Sequence, residues 1–97
     1  MINMVSLKIN AKVAIGLRVD LPDSPPLLMI IGQTGFVMCG FLNMEAAEKL
    51  NVAAAMVSDV RNFDDVLGAE IKAATSKAKI KGIRIGMKGK EAVRLLL

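Results

Sequence analysis

The chain has 97 residues, of which 13 are basic and 9 acidic, for a formal net charge of +4. It contains no histidine and a single cysteine, so one copy cannot assemble a Ser-His-Asp triad, a Cys-His pair or a closed structural zinc site. We therefore expect one domain over residues 1–97, no cofactor, no metal and no recognisable catalytic set.

Apolar residues are frequent for so short a chain. They make up 54% of the residues, and the mean hydropathy is +0.49. A domain of this size keeps much of its surface exposed, and an exposed apolar patch marks an interface. We therefore expect a homo-oligomer, with a dimer as its simplest form. No apolar run approaches the roughly 20 residues of a membrane span, and no secretion signal is evident. The sequence predicts a cytoplasmic protein without a membrane partner.

Strict alternation of apolar and polar residues opens the chain, over residues 5–10 and again over 12–20. A period of two with β-branched residues predicts two half-buried strands. They are joined by a tight turn at Asn10–Ala11. The apolar face of the second strand consists of Val13, Ile15, Leu17 and Val19.

A proline-rich loop at residues 21–26 precedes two apolar runs, 27–31 and 36–39, that flank Gln33–Thr34. These runs show no polar alternation, which favours strands covered on both faces. We expect this hairpin to form the centre of the sheet.

Helix signals dominate the second half. Asn43 and Asn62 are expected N-caps, Gly82 ends a short helix, and residues 89–97 form a terminal helix. Short strands are expected at 53–58, 69–75 and 83–86. Strands that cluster early with helices interspersed late favour an α+β fold, with a mixed or mainly antiparallel sheet.

Four segments resemble the YunC-like family, small archaeal and bacterial proteins classed as a domain of unknown function. The family commonly carries a Gly-aromatic-hydrophobic-Met-Cys-Gly stretch, which residues 35–40 reproduce, and a Gly-Met-x-Gly-x-Glu-Ala pattern, which residues 86–92 reproduce. The proline loop leading into PLLMIIG and the segment VRNFDDVL also match. The resemblance implies a mixed α+β fold and oligomerisation, and it implies no activity.

Cys39 is the first candidate binding residue. A reactive thiol needs a cation, a base or a helix N-terminus beside it, and its sequence neighbours supply none. Only spatial neighbours such as Arg61 or a helix beginning at Asn43 could do so. A free cysteine in an apolar run is typical of core packing, which is the interpretation we favour.

The segment Gly86-Met87-Lys88-Gly89-Lys90 is the second candidate. Glycines and lysines ahead of a helix are features of anion sites, so Gly86, Lys88, Gly89 and Lys90 could bind a phosphate. The alternative is that Gly89 caps the helix and the lysines are solvated. The pattern of a P-loop is not met.

Three functions remain open, and the first is favoured. In the first, the chain is a non-catalytic homo-oligomeric module that binds a small molecule, an anion or a protein. Alternatively, it is an enzyme whose site between subunits uses Cys39, Arg61 and lysines. The third alternative is electrostatic nucleic-acid binding through the basic residues 72–94, which is disfavoured because no aromatic residue there can stack on bases.

Overall fold

The computed structural model describes all residues 1–97 and contains six strands and four helices. The strands are β1 (Ile2–Ile9), β2 (Lys12–Val19), β3 (Leu27–Ile31), β4 (Phe36–Met38), β5 (Ala54–Met56) and β6 (Ala73–Ala74). The helices are α1 (Met44–Lys49), α2 (Phe63–Gly68), α3 (Ser76–Ile80) and α4 (Gly89–Leu96).

All six strands form one sheet in the order β1-β2-β3-β4-β5-β6. Neighbouring strands are antiparallel except β4 and β5, which are parallel and joined through α1. The α+β class, the mixed sheet and the central place of the β3–β4 hairpin are therefore confirmed. The crossover through α1 is one β-α-β unit within an otherwise antiparallel sheet.

Local signals place the turns and caps correctly. Asn10 and Ala11 both have positive φ, as a tight two-residue hairpin turn requires. Asn43 accepts a hydrogen bond from the Ala46 N–H, and Asn62 accepts one from the Asp65 N–H. Each side chain satisfies a donor that the first helical turn leaves unpaired.

The prediction for the buried face of β2 is wrong. Its small residues Ala14 and Gly16 are buried, whereas Val13 and Ile15 are exposed. The reason is steric, because Gly16 lets the ring of Phe63 from α2 approach so closely that a Cβ at Gly16 would lie 2.9 Å from two ring carbons. Helix α2 therefore covers the face of β2 on which the small residues Ala14 and Gly16 lie.

Many apolar side chains of β1–β3 lie on the opposite face of the sheet, here called the open sheet face. The strand register places nine of them together: Ile2, Met4, Val13, Ile15, Leu17, Val19, Leu27, Met29 and Ile31. Each of them is exposed or half-buried. The expectation that β3 is covered on both faces is therefore wrong, because the alternate residues Leu28 and Ile30 are fully buried whereas Leu27, Met29 and Ile31 are not.

Helices α2 and α4 pack on β3 and β4 and form the core with the covered face of the sheet. Helices α1 and α3 contact β5. The largest fully buried side chains are Leu28, Ile30, Ile71, Ile83 and Leu96. None of the four helices is long and apolar enough to cross a membrane.

Residues 83–86 form no strand, which corrects the prediction made for them. The chain reverses at Gly82, whose φ is +102°, and the Ile83 N–H donates to the Ala78 carbonyl at 3.2 Å. This pattern is a Schellman C-cap, which ends α3. Ile83 is buried by that reversal, so its alternation with Arg84 and Ile85 reflects a turn rather than a strand.

Candidate functional site

A cavity of about 330 Å³ opens beside Cys39 at one edge of the sheet. A volume of this size lies at the lower end of the range for small-molecule sites, about 300–1,000 Å³. Its lining comes from three loops and consists of Pro25, Pro26, Cys39, Gly40, Phe41, Ser58, Asp59 and Val60.

The sheet topology brings these three loops together. Residues 39–41 directly follow β4, and residues 57–60 directly follow β5, so both loops leave the carboxyl ends of a parallel pair. Pro25 and Pro26 precede β3, which is antiparallel to β4 and therefore begins at the same edge. Ligands in sheets with parallel strands bind at the carboxyl ends of those strands.

The lining offers hydrogen-bond donors from the backbone. The N–H groups of Gly40, Phe41, Ser58, Asp59 and Val60 have no acceptor within the chain. Val60 is only 5% exposed as a whole residue and lines the cavity, and an N–H without a partner in the chain takes its acceptor from solvent or from a ligand. The cavity is therefore suited to a ligand atom that accepts hydrogen bonds.

Asp59 has a positive φ of 59°, a conformation that is uncommon for a residue other than glycine. Such residues cluster at functional sites. Here the conformation turns the chain between β5 and α2 and leaves three successive N–H groups, those of residues 58–60, unpaired. The Asp59 carboxylate is the one charged side chain of the lining.

Cys39 lies in the cavity wall and is almost fully buried, with 5% of its surface exposed. Its Sγ accepts a hydrogen bond from the Leu28 N–H at 3.4 Å, and its own N–H donates to the Leu28 carbonyl at 3.0 Å. The thiol thus ties β4 to β3. These contacts agree with the interpretation of Cys39 as a packing residue and place no cation against it.

Arg61 follows the cavity loop but is not part of the lining. Its N–H donates to the Asp65 carboxylate at 3.0 Å, and its carbonyl accepts from the Arg18 guanidinium at 3.2 Å. The Arg61 side chain itself is exposed. Its backbone holds the start of α2 against β2, so the structure does not bring the Arg61 guanidinium and the Cys39 thiol into one site.

The Gly86–Lys90 segment lies away from the cavity. Gly89 packs on Val66 and Leu67 near the end of α2, whereas the cavity lies at the start of that helix. The Gly89 N–H donates to the Ala69 carbonyl at 2.7 Å. Packing accounts for this glycine, and Lys88 rather than Gly89 is the N-cap of α4.

Lys88 and Lys90 are exposed, and Gly86 has a φ of +95° in an exposed turn. The Lys88 backbone forms an isolated β-bridge with Glu70, and its side chain makes no capping hydrogen bond. The Gly86 N–H donates to the Ile71 carbonyl at 2.8 Å. The N–H groups of Gly86 and Gly89, which an anion would need as donors, are therefore already bonded within the chain.

Sequence reasoning missed the cavity residues other than Cys39. Ser58, Asp59 and Val60 carry no side-chain motif, because their contribution is backbone N–H groups. The signal that could have found them was the pair of apolar runs before Cys39 and Ser58. Residues that follow neighbouring parallel strands meet at one edge, but the parallel pairing itself was not apparent in the sequence.

Three comparisons with known proteins agree with this architecture. The model of a family described as a domain of unknown function, DUF1805, matches residues 38–96. The uncharacterized protein YunC of Bacillus subtilis (strain 168) is 28% identical over 97 residues, which cover 96% of this chain and 95% of YunC. The crystal structure of TA1206, a protein of unknown function from Thermoplasma acidophilum, is 35% identical, with a TM-score of 0.94 over 100% of this chain and 94% of that one.

The fold and the cavity thus define a small α+β protein built on a mixed six-stranded sheet with one parallel pair. The chain belongs to the DUF1805 family of uncharacterised domains. The resemblance to YunC-like proteins is confirmed, and Cys39 and Gly40 lie within the matched residues.

Proposed function

We propose that this protein is a homo-oligomeric, non-catalytic binding module of the cytoplasm, which holds a small ligand in the cavity beside Cys39. The ligand combines a short apolar part with an oxygen that accepts hydrogen bonds. The N–H groups of residues 58–60 carry the proposal, because these three successive donors of the cavity lining have no acceptor within the chain and are available to a ligand.

The lining supports this ligand class. Pro25, Pro26 and Phe41 supply apolar surface for the body of the ligand, and the loops after β4 and β5 supply N–H donors. No lysine, arginine or histidine lines the cavity, and its one charged side chain is the Asp59 carboxylate. The lining therefore has no cationic side chain and no second titratable partner beside Asp59 other than the buried Cys39 thiol. These features favour binding over catalysis.

The ligand class is tested with three probes that share one apolar tail: hexanamide, hexanoate and hexylammonium. The first two carry an acceptor oxygen and the third carries donors alone. We expect hexanamide to shift the amide NMR resonances of residues 40–41 and 58–60, with hexanoate weaker because of the Asp59 carboxylate, and hexylammonium to leave them in place. Shifts caused by hexylammonium alone would contradict the proposal.

A cavity-filling variant provides the matched control. A Cβ at Gly40 meets no atom within 4 Å, and the same is true at Gly68, which lies outside the cavity. We expect Gly40→Leu to abolish the shifts caused by hexanamide and Gly68→Leu to retain them. Equal binding by both variants would place the probe elsewhere.

The open sheet face supports self-association. It presents nine apolar side chains on three adjacent strands, and no helix packs over it. Contiguous apolar patches of this kind mark protein interfaces, and copies of one chain most often meet through a twofold axis. A second copy that places its own open sheet face against this one buries both.

Two residues of equal exposure, one on each face of the sheet, provide a matched test of self-association. Ile15 lies on the open sheet face and Val5 on the other, and both are 41% exposed. We expect Ile15→Lys to yield monomers in light scattering at micromolar concentration and Val5→Lys to retain the oligomer. A wild-type protein that is monomeric at that concentration would refute self-association while leaving the cavity proposal intact.

A further inference from the structure

We infer that the surface around α3 docks on an anionic lipid bilayer as a peripheral contact. The surface, here called the α3 patch, comprises residues of α3 and of the segment between α3 and α4. They are the exposed isoleucines Ile80 and Ile85 and five basic residues, Lys77, Lys79, Lys81, Arg84 and Lys88. The inference is independent of the cavity and of self-association.

Charge is the first observation. Residues 71–90 contain seven basic residues and no acidic residue, whereas the rest of the chain contains six basic and nine acidic residues. None of the seven lies within salt-bridge distance of a carboxylate. A cluster of unpaired cations attracts a polyanionic surface, and basic residues near an anionic leaflet each strengthen binding.

Exposed apolar side chains are the second observation. Ile80 is 84% exposed and Ile85 is 56% exposed. They are five residues apart, and the chain between them cannot span more than about 17 Å. Exposed isoleucines next to lysines gain nothing from a nucleic-acid backbone, but they gain free energy when they enter the boundary between headgroups and acyl chains.

The patch is held in shape by the fold. The Schellman cap at Gly82 reverses the chain, and Ile83 anchors the reversal in the core. The following turn is closed by a hydrogen bond from the Met87 N–H to the Arg84 carbonyl at 3.2 Å, and the Gly86 N–H is bonded to the Ile71 carbonyl. Ile80 and Ile85 are therefore presented on a preformed surface, which lowers the entropic cost of docking.

Docking of this kind needs no membrane span. The absence of a spanning helix excludes insertion through the bilayer by these helices, whereas a surface contact needs only cations and a few shallow apolar side chains. The favoured partner is an anionic lipid surface, and duplex nucleic acid is the competing one.

Vesicle sedimentation tests the inference with the full chain. We expect binding to vesicles of phosphatidylglycerol and phosphatidylcholine, no binding to phosphatidylcholine alone, and weakening as salt screens the charges. Ile80→Ser and Ile85→Ser each weaken binding about tenfold, since a buried isoleucine contributes roughly that factor. The double variant Lys77→Glu/Lys79→Glu weakens it by about tenfold or more.

Two control variants are expected to retain vesicle binding. Ile80→Leu retains binding because it keeps an apolar side chain, and Gly40→Leu retains it because the cavity is not involved. All substituted patch residues are exposed, so unchanged melting temperatures verify folding. Failure to bind anionic vesicles, or binding to duplex DNA that survives both isoleucine substitutions while vesicle binding is absent, overturns the inference.

Discussion

Gly89, the first residue of α4, lies directly against the main-chain carbonyl of Val66 in α2. A Cβ on Gly89 would overlap the Val66 oxygen and approach the Val66 carbonyl carbon to 3.0 Å. The Gly89 N–H also donates to the Ala69 carbonyl, just beyond the end of α2. Helices α2 and α4 therefore meet backbone to backbone at this point, and only glycine permits the contact.

Gly89→Ala is expected to destabilise the fold by about 2 kcal/mol or more, because backbone atoms cannot move aside as a side chain can. Urea denaturation measures the change. Gly68→Ala is the matched control, since a Cβ there meets nothing within 4 Å and alanine in a helix is favoured over glycine by about 0.5–1 kcal/mol. Equal stability of the two variants would show that α4 can shift away from α2.

Thr75 is the one buried polar residue of the core, and its hydroxyl makes three hydrogen bonds. It donates to the Val52 carbonyl at 2.7 Å and accepts from the N–H groups of Ala54 and Ala78. Thr75→Val keeps the volume but leaves these groups unpaired, which costs about 1–3 kcal/mol. Thr75→Ser keeps the hydroxyl, so it should be the more stable variant in thermal unfolding. A more stable valine variant would argue against this role of the hydroxyl.

Cys39 is expected to resist modification in the native state, because it is 5% exposed and bonded to Leu28. A thiol reagent at neutral pH should react slowly with folded protein and rapidly in urea. Cys39→Ser places a more polar group in the same wall and should lower stability by about 1–3 kcal/mol. Rapid labelling of native protein would instead indicate an accessible thiol and favour an enzyme.

Asn62→Ala removes the N-cap of α2 and should cost about 1 kcal/mol, because the Asp65 N–H loses its acceptor. Asn62→Asp retains an acceptor at the same position and should remain close to wild type. Chemical denaturation compares the two. If both variants lose the same stability, the amide of Asn62 has a role other than capping.

Local structure was largely predictable. The turn at Asn10–Ala11, the caps at Asn43 and Asn62 and the helix stop at Gly82 all depend on hydrogen bonds and backbone angles within a few residues. Such interactions join residues that are neighbours in sequence, so a short stretch of sequence is enough to predict them. The strand prediction for residues 83–86 failed because alternation over four residues is also compatible with a turn that buries one side chain.

The site was less predictable, since it consists of backbone donors from segments distant in sequence. Cys39 was identified as a candidate from the sequence, and it lies in the cavity wall. The other lining residues Ser58 and Val60 became apparent only from the parallel pairing of β4 and β5. Arg61 and Gly89 lie outside the cavity lining. The backbone of Arg61 holds α2 against β2, and Gly89 allows α4 to pack closely on α2.

By itself, the sequence determined the family, the α+β class, the short-range turns and caps, and the excess of apolar residues over what one small domain can bury. Tertiary structure alone decided which face of β2 the helices cover, because that depends on the space Gly16 leaves for Phe63. It also decided that the apolar face of β1–β3 stays open and that a cavity with unpaired donors forms beside Cys39. Periodicity reveals that a strand has an apolar face, but only packing across the chain selects what covers it.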